Sequence, residues 1–130
     1  MDLENALHRL NTACPDYQDV WRDRQTRDRI EGFGPPEEFV QTNDLANWVV
    51  GRTAAKQYSC LAELFAEVEL LLSTGSHEVQ EVVTIGLLED IQDGLVDHQL
   101  TRDESEHLLR FFGPLTQQAW LKIASWRARP

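Results

Sequence analysis

The sequence predicts an all-α protein, a single-domain bundle of about six helices that spans residues 1–130. Three observations predict this class. Apolar residues recur at helical spacing along most of the chain, glycine and proline separate the helical stretches, and no alternating apolar pattern is long enough for a useful strand. With 130 residues, of which 42% are hydrophobic, the chain can bury a core. Short connections favour antiparallel neighbours.

The central feature is a predicted antiparallel helix pair at about residues 59–73 and 77–92. The first helix has one apolar face, formed by Leu61, Leu64, Phe65, Val68, Leu71 and Leu72. Gly75 suits the left-handed residue that follows a helix, and Ser76 suits the N-cap of the next one. Apolar residues cover most of the second helix, which predicts neighbours on several sides: Val79, Val82, Val83, Ile85, Leu87, Leu88 and Ile91.

The N-terminal part of the chain is predicted to hold two helices. The first begins near Leu3 and ends before Pro15, because proline disfavours helical geometry in the residue that precedes it. Asp16 is the expected N-cap of the second, which runs to about Glu31 and mixes arginines with acids. This mixture is typical of a solvated face, and contacts between the arginines and the acidic helices of the same molecule are the alternative.

Residues 32–36 contain two glycines and two prolines and predict a loop between helices. Residues 37–41 are ambiguous, with one turn of helix as one interpretation, and Thr42 or Asn43 is the expected cap of a helix that ends near Gln57. Gly51 lies inside this helix, where glycine lowers stability by about 1 kcal/mol. We interpret it as a place where a neighbouring helix approaches closely.

The last third of the chain begins with a connector at residues 93–97. Thr101 and Glu104 match a capping box, in which each side chain bonds the backbone amide of the other residue. The helix that they start is predicted to stop at the Gly-Pro pair of residues 113–114. A final helix follows from about Thr116.

The cysteines, Cys14 and Cys60, lie in apolar helical patterns without metal-ligand spacing. We expect two buried, reduced thiols and therefore a reducing compartment. The N-terminus lacks the basic region and apolar run of a signal peptide, and no stretch approaches the length of a membrane span. These features predict a cytoplasmic protein.

Negative charge is concentrated in one segment of the chain. The formal net charge is −10, and residues 59–101 hold nine carboxylates without any Lys or Arg. The rest of the chain has thirteen acids and twelve bases. The strongly negative net charge disfavours nucleic acid or an anionic membrane as a direct partner and favours a basic protein. The alternative is that the charge only maintains solubility.

The predicted partner-binding residues lie in this acidic segment. They are Glu63, Glu67, Glu78, Glu81, Ile85, Glu89, Asp90, Asp93 and Asp97. By the angular period of a helix, Glu78, Glu81, Glu89 and Gln92 project within about a quarter of the circumference. Ile85 falls inside this acidic stripe, where either another helix covers it or it is the apolar anchor of an interface.

The sequence predicts no catalytic residue, no cofactor and no metal site. The four histidines show no Glu-x-x-His or His-x-x-x-His spacing, and no phosphate-binding glycine loop is present. Residues 90–94 lack the alternate ligands and the closing Glu of a calcium loop. Glu89 with Asp93, or Glu63 with Glu67, could form an acid–base pair, but such pairs are common on acidic helices.

Three pieces of the chain share a pattern of apolar and acidic positions with a known family. They are Leu64-Phe65-Ala66-Glu67-Val68-Glu69-Leu70-Leu71, the stretch from Val79 through Gly86-Leu87-Leu88-Glu89-Asp90-Ile91, and Phe112-Gly113-Pro114-Leu115 with Trp120. In this pattern the chain resembles small acidic helical immunity proteins of bacterial polymorphic toxin systems. The resemblance covers about residues 44–126. It implies a cytoplasmic protein that binds and neutralises a cognate toxin and has no catalysis of its own.

Three hypotheses for function follow. The leading one is an immunity protein whose acidic helical face occludes the basic active site of a toxin. The second is a helical subunit or adaptor of a larger assembly, which makes contact through the Trp and Phe residues of the last two helices. The third is a carboxylate or metal enzyme, which requires perturbed carboxylates that converge in a pocket.

Overall fold

Seven helices form the part of the chain that the computed structural model describes, residues 2–32 and 37–127, and no strand occurs there. The helices are α1 (Leu3–Thr12), α2 (Pro15–Ile30), α3 (Glu38–Ala54), α4 (Leu61–Thr74), α5 (residues 77–97), α6 (Arg102–Leu109) and α7 (Pro114–Arg127). The prediction of an all-α bundle is confirmed. The predicted loop falls largely on residues 33–36, which lie outside the described residues.

The predicted caps of two helices are confirmed. The Ser76 hydroxyl accepts a hydrogen bond from the Val79 amide at 3.2 Å and begins α5. The Thr101 hydroxyl accepts from the Glu104 amide at 3.1 Å, and the Glu104 carboxylate accepts from the Thr101 amide at 2.9 Å. These reciprocal bonds satisfy amides that the first turn of α6 leaves without helical partners.

Other predicted helix ends are wrong. Pro15 is itself the first residue of α2, where its missing amide proton removes no helical bond, so Cys14 and not Asp16 is the N-cap. α3 begins four residues before Thr42, whose hydroxyl donates to the Phe39 carbonyl inside the helix. Gly75 is extended at φ −72° and is not left-handed.

α5 combines two helix types and is longer than predicted. Its α-helical ends, His77–Glu81 and Glu89–Asp97, flank a π-helix at Val82–Leu88. The connector predicted at residues 93–97 is therefore helical. Gly94 does not break the helix, because it lies against Val50 of α3, where a Cβ would come within 2.7 Å of a Val50 methyl group.

The core lies between α5 and the helices around it. α3 and α5 make the most extensive helix–helix contact, whereas α4 packs on α7 and α5 to a similar extent and on α1 somewhat less. The two helices of the predicted pair, α4 and α5, follow each other along the chain, but the main packing neighbour of α5 is α3. Gly51 is exposed with no atom near its Cβ position, so the close approach expected there is wrong, and it occurs at Gly86 and Gly94.

Cys14 and Cys60 form a disulfide, so the expectation of two reduced thiols is wrong. Their Cα atoms are 5.4 Å apart, although the two cysteines are 46 positions apart in sequence. Cys14 follows the end of α1 and Cys60 is the N-cap of α4, and packing of α4 against α1 brings them together. Sequence spacing does not reveal this contact, and the argument from free thiols for a reducing compartment no longer applies.

Candidate partner-binding surface

The buried side of α5 repeats every fourth residue. Its members are Val79, Val83, Leu87, Ile91 and Leu95, of which none is more than 7% exposed. In an α-helix with 3.6 residues per turn, such a row would rotate by about 40° at each step. A π-helix bonds residues five apart and has more residues per turn. The π segment at Val82–Leu88 therefore offsets the rotation and keeps the row facing the core.

The two flanks of α5 face two different helices. On one flank, Gly86 lies under Phe39 and Thr42 of α3, and the Asn43 amide donates to the Asp90 carboxylate at 3.1 Å. On the other flank, the Gln92 amide donates to the backbone carbonyl of Trp120 in α7 at 2.9 Å. Gln92 is 7% exposed, so its predicted place in the acidic stripe is wrong. The π segment changes the rotational phase on which that prediction relied.

The remaining side of α5 is an outer row opposite the core. It consists of Glu81, Ile85, Glu89, Asp93 and Asp97, all of which are predicted partner-binding residues. Glu81 and Asp97 are exposed, whereas Glu89 and Asp93 are half-buried. The Ile85 side chain is 39% exposed, so no helix of the described chain covers it fully. Four acids with an isoleucine among them thus share one helix face.

The other predicted residues occupy different positions. Glu78 is exposed in the first turn of α5, and Glu63 is exposed on α4. The Glu67 carboxylate accepts from the Arg9 guanidinium of α1 at 2.8 and 3.1 Å, and this bond raises the pKa of Arg9. Asp90 accepts from Asn43 on the α3 flank. Glu67 and Asp90 therefore connect helices within the molecule.

Glu69 has a structural role that sequence reasoning missed. Its carboxylate accepts from the Leu115 amide, the Thr116 amide and the Thr116 hydroxyl, each at 2.9 Å. Burial raises the pKa of Glu69, but these three bonds together outweigh burial, and the pKa is lowered. Because Gly113 precedes α7 and has no side chain to act as a cap, α4 supplies the cap. A Cβ on Gly113 would lie 2.9 Å from the Glu69 Cγ.

The arginines of α2 do not reach the acidic helices through the contacts that the structure records. Arg24 bonds Asp28 of its own helix at 3.2 Å and Asp44 of α3 at 3.3 Å. Arg22 and Arg27 are exposed, as expected of a solvated face. The recorded ion pairs of α2 therefore do not neutralise the carboxylates of residues 59–101.

A cleft of about 730 Å³ lies between α1, α2 and the start of α3. Leu7 and Trp21 form apolar parts of its wall, and Glu4, Arg29 and Glu38 contribute both signs of charge. No pattern in the sequence predicted this cleft. Its mixed charge distinguishes it from the outer row of α5, and it does not bring the predicted residues together.

A metal-binding cluster and a membrane-spanning helix are both absent from the part of the chain that the structure describes. Within residues 2–32 and 37–127, no three His, Cys, Asp or Glu side chains come together as a metal ion would require. In the same residues, no helix combines the length and apolar composition needed to cross a membrane.

Comparison with known proteins assigns a family without a known activity. No curated protein and no solved structure matches the chain. Residues 7–127 match a family described as a domain of unknown function, DUF7674. Because the match covers nearly all of the sequence, the chain belongs to the DUF7674 family.

Proposed function

We propose that the protein binds a basic partner protein through the outer row of α5, and that the partner is a bacterial toxin which it neutralises as an immunity protein. The acidic row would occupy a basic active-site cleft and exclude the substrate of the toxin. The protein acts by binding and performs no catalysis in this proposal. The resemblance of residues 44–126 to immunity proteins supports the choice of a toxin.

One observation carries the proposal. Residues 59–101 contain nine carboxylates and no Lys or Arg, and four of these carboxylates lie on one face of α5. A basic partner would associate faster with this part of the surface through its complementary potential. Solubility alone does not require the acids to share one face.

A matched pair of charge-reversal variants tests the proposal. Glu81→Lys with Asp97→Lys changes exposed acids on the outer row, and Asp19→Lys with Asp23→Lys changes exposed acids on α2. Both variants shift the net charge equally. Tagged proteins are used to isolate partners from the source cells, and each partner is co-expressed with wild type and variants in a growth assay.

The expected result is one basic partner that inhibits growth when expressed alone. Wild type and the α2 variant restore growth, whereas the outer-row variant does not. Retention of the partner is also expected to fall at high salt, because screening weakens exposed charge pairs. Equal protection by both variants would reject the outer row, and a partner without effect on growth would reject the toxin.

The compartment is a separate part of the proposal. A cytoplasmic location follows from the resemblance, whereas stable disulfides are rare in the cytosol and common in oxidising compartments. Cys14 and Cys60 are paired in the structure. Alkylation of thiols in intact cells, followed by mass determination, measures which form is present. Alkylation of both cysteines would support a cytoplasmic location. Alkylation of neither cysteine would support an oxidising compartment.

A second candidate function is that of a subunit or adaptor in a larger assembly. Exposed apolar side chains near the C-terminal helices favour it: Val96 is 72% exposed, Leu121 67% and Trp126 42%. Such residues are typical of a protein–protein contact when they form one patch. Polar substitution of Leu121 and Trp126 would then abolish partner binding and leave outer-row variants without effect.

A further inference from the structure

We infer that residues 22–30, the second half of α2, form a flap that opens and closes over the cleft between α1 and α3, with the ion pair of Arg24 and Asp44 as its latch. The first half of α2, residues 15–20, is the fixed end. The proposed function does not involve the flap, which lies outside the acidic segment and contains none of the predicted partner-binding residues.

The first half of α2 is firmly anchored to other helices. Cys14, the N-cap residue, is buried and is joined to α4 by the disulfide. Tyr17 is also buried, and its ring packs on the Trp48 ring of α3 with the centroids 5.3 Å apart. The Asp16 carboxylate accepts a hydrogen bond from the Arg52 guanidinium of α3. These contacts fix the start of α2.

The flap has little apolar attachment to the bundle. Its one aliphatic residue, Ile30, is 81% exposed. The half-buried side chains of the flap are polar ones, Arg24, Gln25 and Asp28. Because helices in proteins are stabilised mainly by burial of an apolar face, and because a segment this short is not a stable helix alone, the flap loses its helical structure when it leaves the bundle.

Trp21 lies between the two halves of α2 and favours opening. It lines the cleft, and its ring meets the His8 ring of α1 edge to face with the centroids 5.5 Å apart. Its indole Nε1 is buried and has no hydrogen-bond partner among the described residues. A buried donor without a partner raises the free energy of the closed form, whereas water satisfies this donor once the flap opens.

The ion pair of Arg24 and Asp44 links the flap to α3. The Arg24 guanidinium lies 3.3 Å from the Asp44 carboxylate and 3.2 Å from that of Asp28 within the flap. Arg27 of the flap also attracts the Asp44 carboxylate. Both side chains of the latch are partly exposed, and such pairs contribute little to stability. The latch therefore favours the closed form without making it permanent.

Movement of the flap changes the cleft. Gln25 and Arg29 of the flap form part of its wall, and Glu4 and Leu7 of α1 form another part. Withdrawal of the flap removes the first of these walls and exposes Leu7 and Trp21, which are apolar. Closing restores the wall of the cleft, whose volume is about 730 Å³. The flap thus controls access to the cleft.

Hydrogen exchange of the full-length oxidised protein, followed by NMR, tests the flap. A flap opens as one unit, so the amides of residues 22–26 should share the low protection of residues 27–30, about tenfold or more below that of α4. Low concentrations of urea should change their exchange little, because local opening exposes little surface. Ordinary fraying affects only the last turn. Protection of residues 22–26 as high as that of α4 would overturn the flap.

A double-mutant cycle of Arg24→Gln and Asp44→Asn tests the latch. Each substitution is expected to lower the protection of residues 22–26 about threefold. The double variant should match Arg24→Gln, because both changes remove the same ion pair. Arg22→Gln, which changes an exposed arginine of the flap, is the matched control and should leave the protection nearly unchanged. Additive effects of the two substitutions would overturn the latch.

The indole proton of Trp21 reports on the cleft in the same samples. Its NMR signal is identified by its absence in Trp21→Phe. In Asp44→Asn this proton should exchange about threefold faster, as the amides of the flap do, since both need the same opening. The indole proton of Trp120, on α7, should keep its rate. A Trp21 rate that stays constant while the amides accelerate would show that the flap does not control the cleft.

Discussion

α4 and α5 are both acidic helices, but their carboxylates have different neighbours. On α4, Glu67 bonds Arg9 of α1 and Glu69 caps α7. The N-cap residue of α4, Cys60, forms a disulfide with Cys14. On α5, the acids of the outer row lie opposite the core. α4 therefore connects the ends of the bundle, and α5 combines a buried row with an acidic surface.

This difference shows that acidic residues of one segment can either raise or lower the stability of the fold. A carboxylate that accepts hydrogen bonds from backbone amides or an arginine stabilises the fold, and its removal leaves those donors without a partner. A carboxylate that has another carboxylate one turn away on the same helix meets like-charge repulsion, which lowers stability slightly. Composition alone does not separate the two kinds, whereas the following substitutions do.

The disulfide of α4 is expected to have the largest effect. A crosslink that closes a loop of 46 residues restricts the unfolded chain, and its loss lowers the free energy of unfolding by about 4 kcal/mol. Cys14→Ser with Cys60→Ser is compared with oxidised wild type by urea denaturation. Dithiothreitol should destabilise wild type to the level of this variant and leave the variant unchanged. Equal stability of the oxidised and reduced protein would contradict a stabilising role.

The contact between α5 and α3 is expected to have the next largest effect. Gly86→Val places methyl groups where Thr42 and Phe39 already lie, and should lower the free energy of unfolding by about 2 kcal/mol. Gly51→Val is the matched control on α3, where the Cβ position is open, and should raise it by a few tenths of a kcal/mol through helix propensity. Equal effects would indicate that helix propensity alone determines both values.

The elements that local rules determine were predicted from the sequence. The apolar face of α4 follows from the positions of Leu64, Phe65 and Val68, and the caps at Ser76 and Thr101 follow from side chains next to the amides that they bind. These features need only interactions within one or two turns, so a single sequence contains them.

The features that were missed depend on contacts between distant residues. The π segment of α5 changes the rotational phase, which moves Gln92 out of the acidic stripe and leaves Ile85 within it. The disulfide and the cap from Glu69 join residues 46 or 47 positions apart, and no periodicity records such pairs. A Gly-Pro start of α7 without a local cap is the one sequence signal that could have indicated a cap from elsewhere.

Removal of the cap on α7 is expected to have an intermediate effect. Glu69→Gln keeps the size of the side chain but removes the charge and part of the hydrogen bonding to α7, and should lower the free energy of unfolding by about 1 kcal/mol at pH 7. The matched control is Glu81→Gln on α5, which should change stability by only a few tenths of a kcal/mol. Similar losses in both variants would contradict the distinction between the two helices.

The effect of Glu69 should also depend on pH. The pKa of Glu69 is lower in the folded protein than its ordinary value of 4.5, so its carboxylate stabilises the fold fully above that value. This contribution decreases as the pH falls through the lowered pKa of the folded state. The difference between wild type and Glu69→Gln in urea titrations should therefore shrink at acid pH. A difference that stays constant down to strongly acid pH would show that the charge is not involved.

The smallest expected effects have opposite signs on the two helices. Asp97 is exposed in the last turn of α5, which contains no basic residue, and a negative charge there opposes the helix dipole and repels Asp93 one turn earlier. Asp97→Asn should raise the free energy of unfolding by about 0.5 kcal/mol at low salt. Glu67→Gln on α4 should lower it by about 0.5 kcal/mol, because the partly exposed bond to Arg9 is lost. Both changes should diminish in high salt, and a gain from Asp97→Asn means that the native row retains an acid that its own fold does not need.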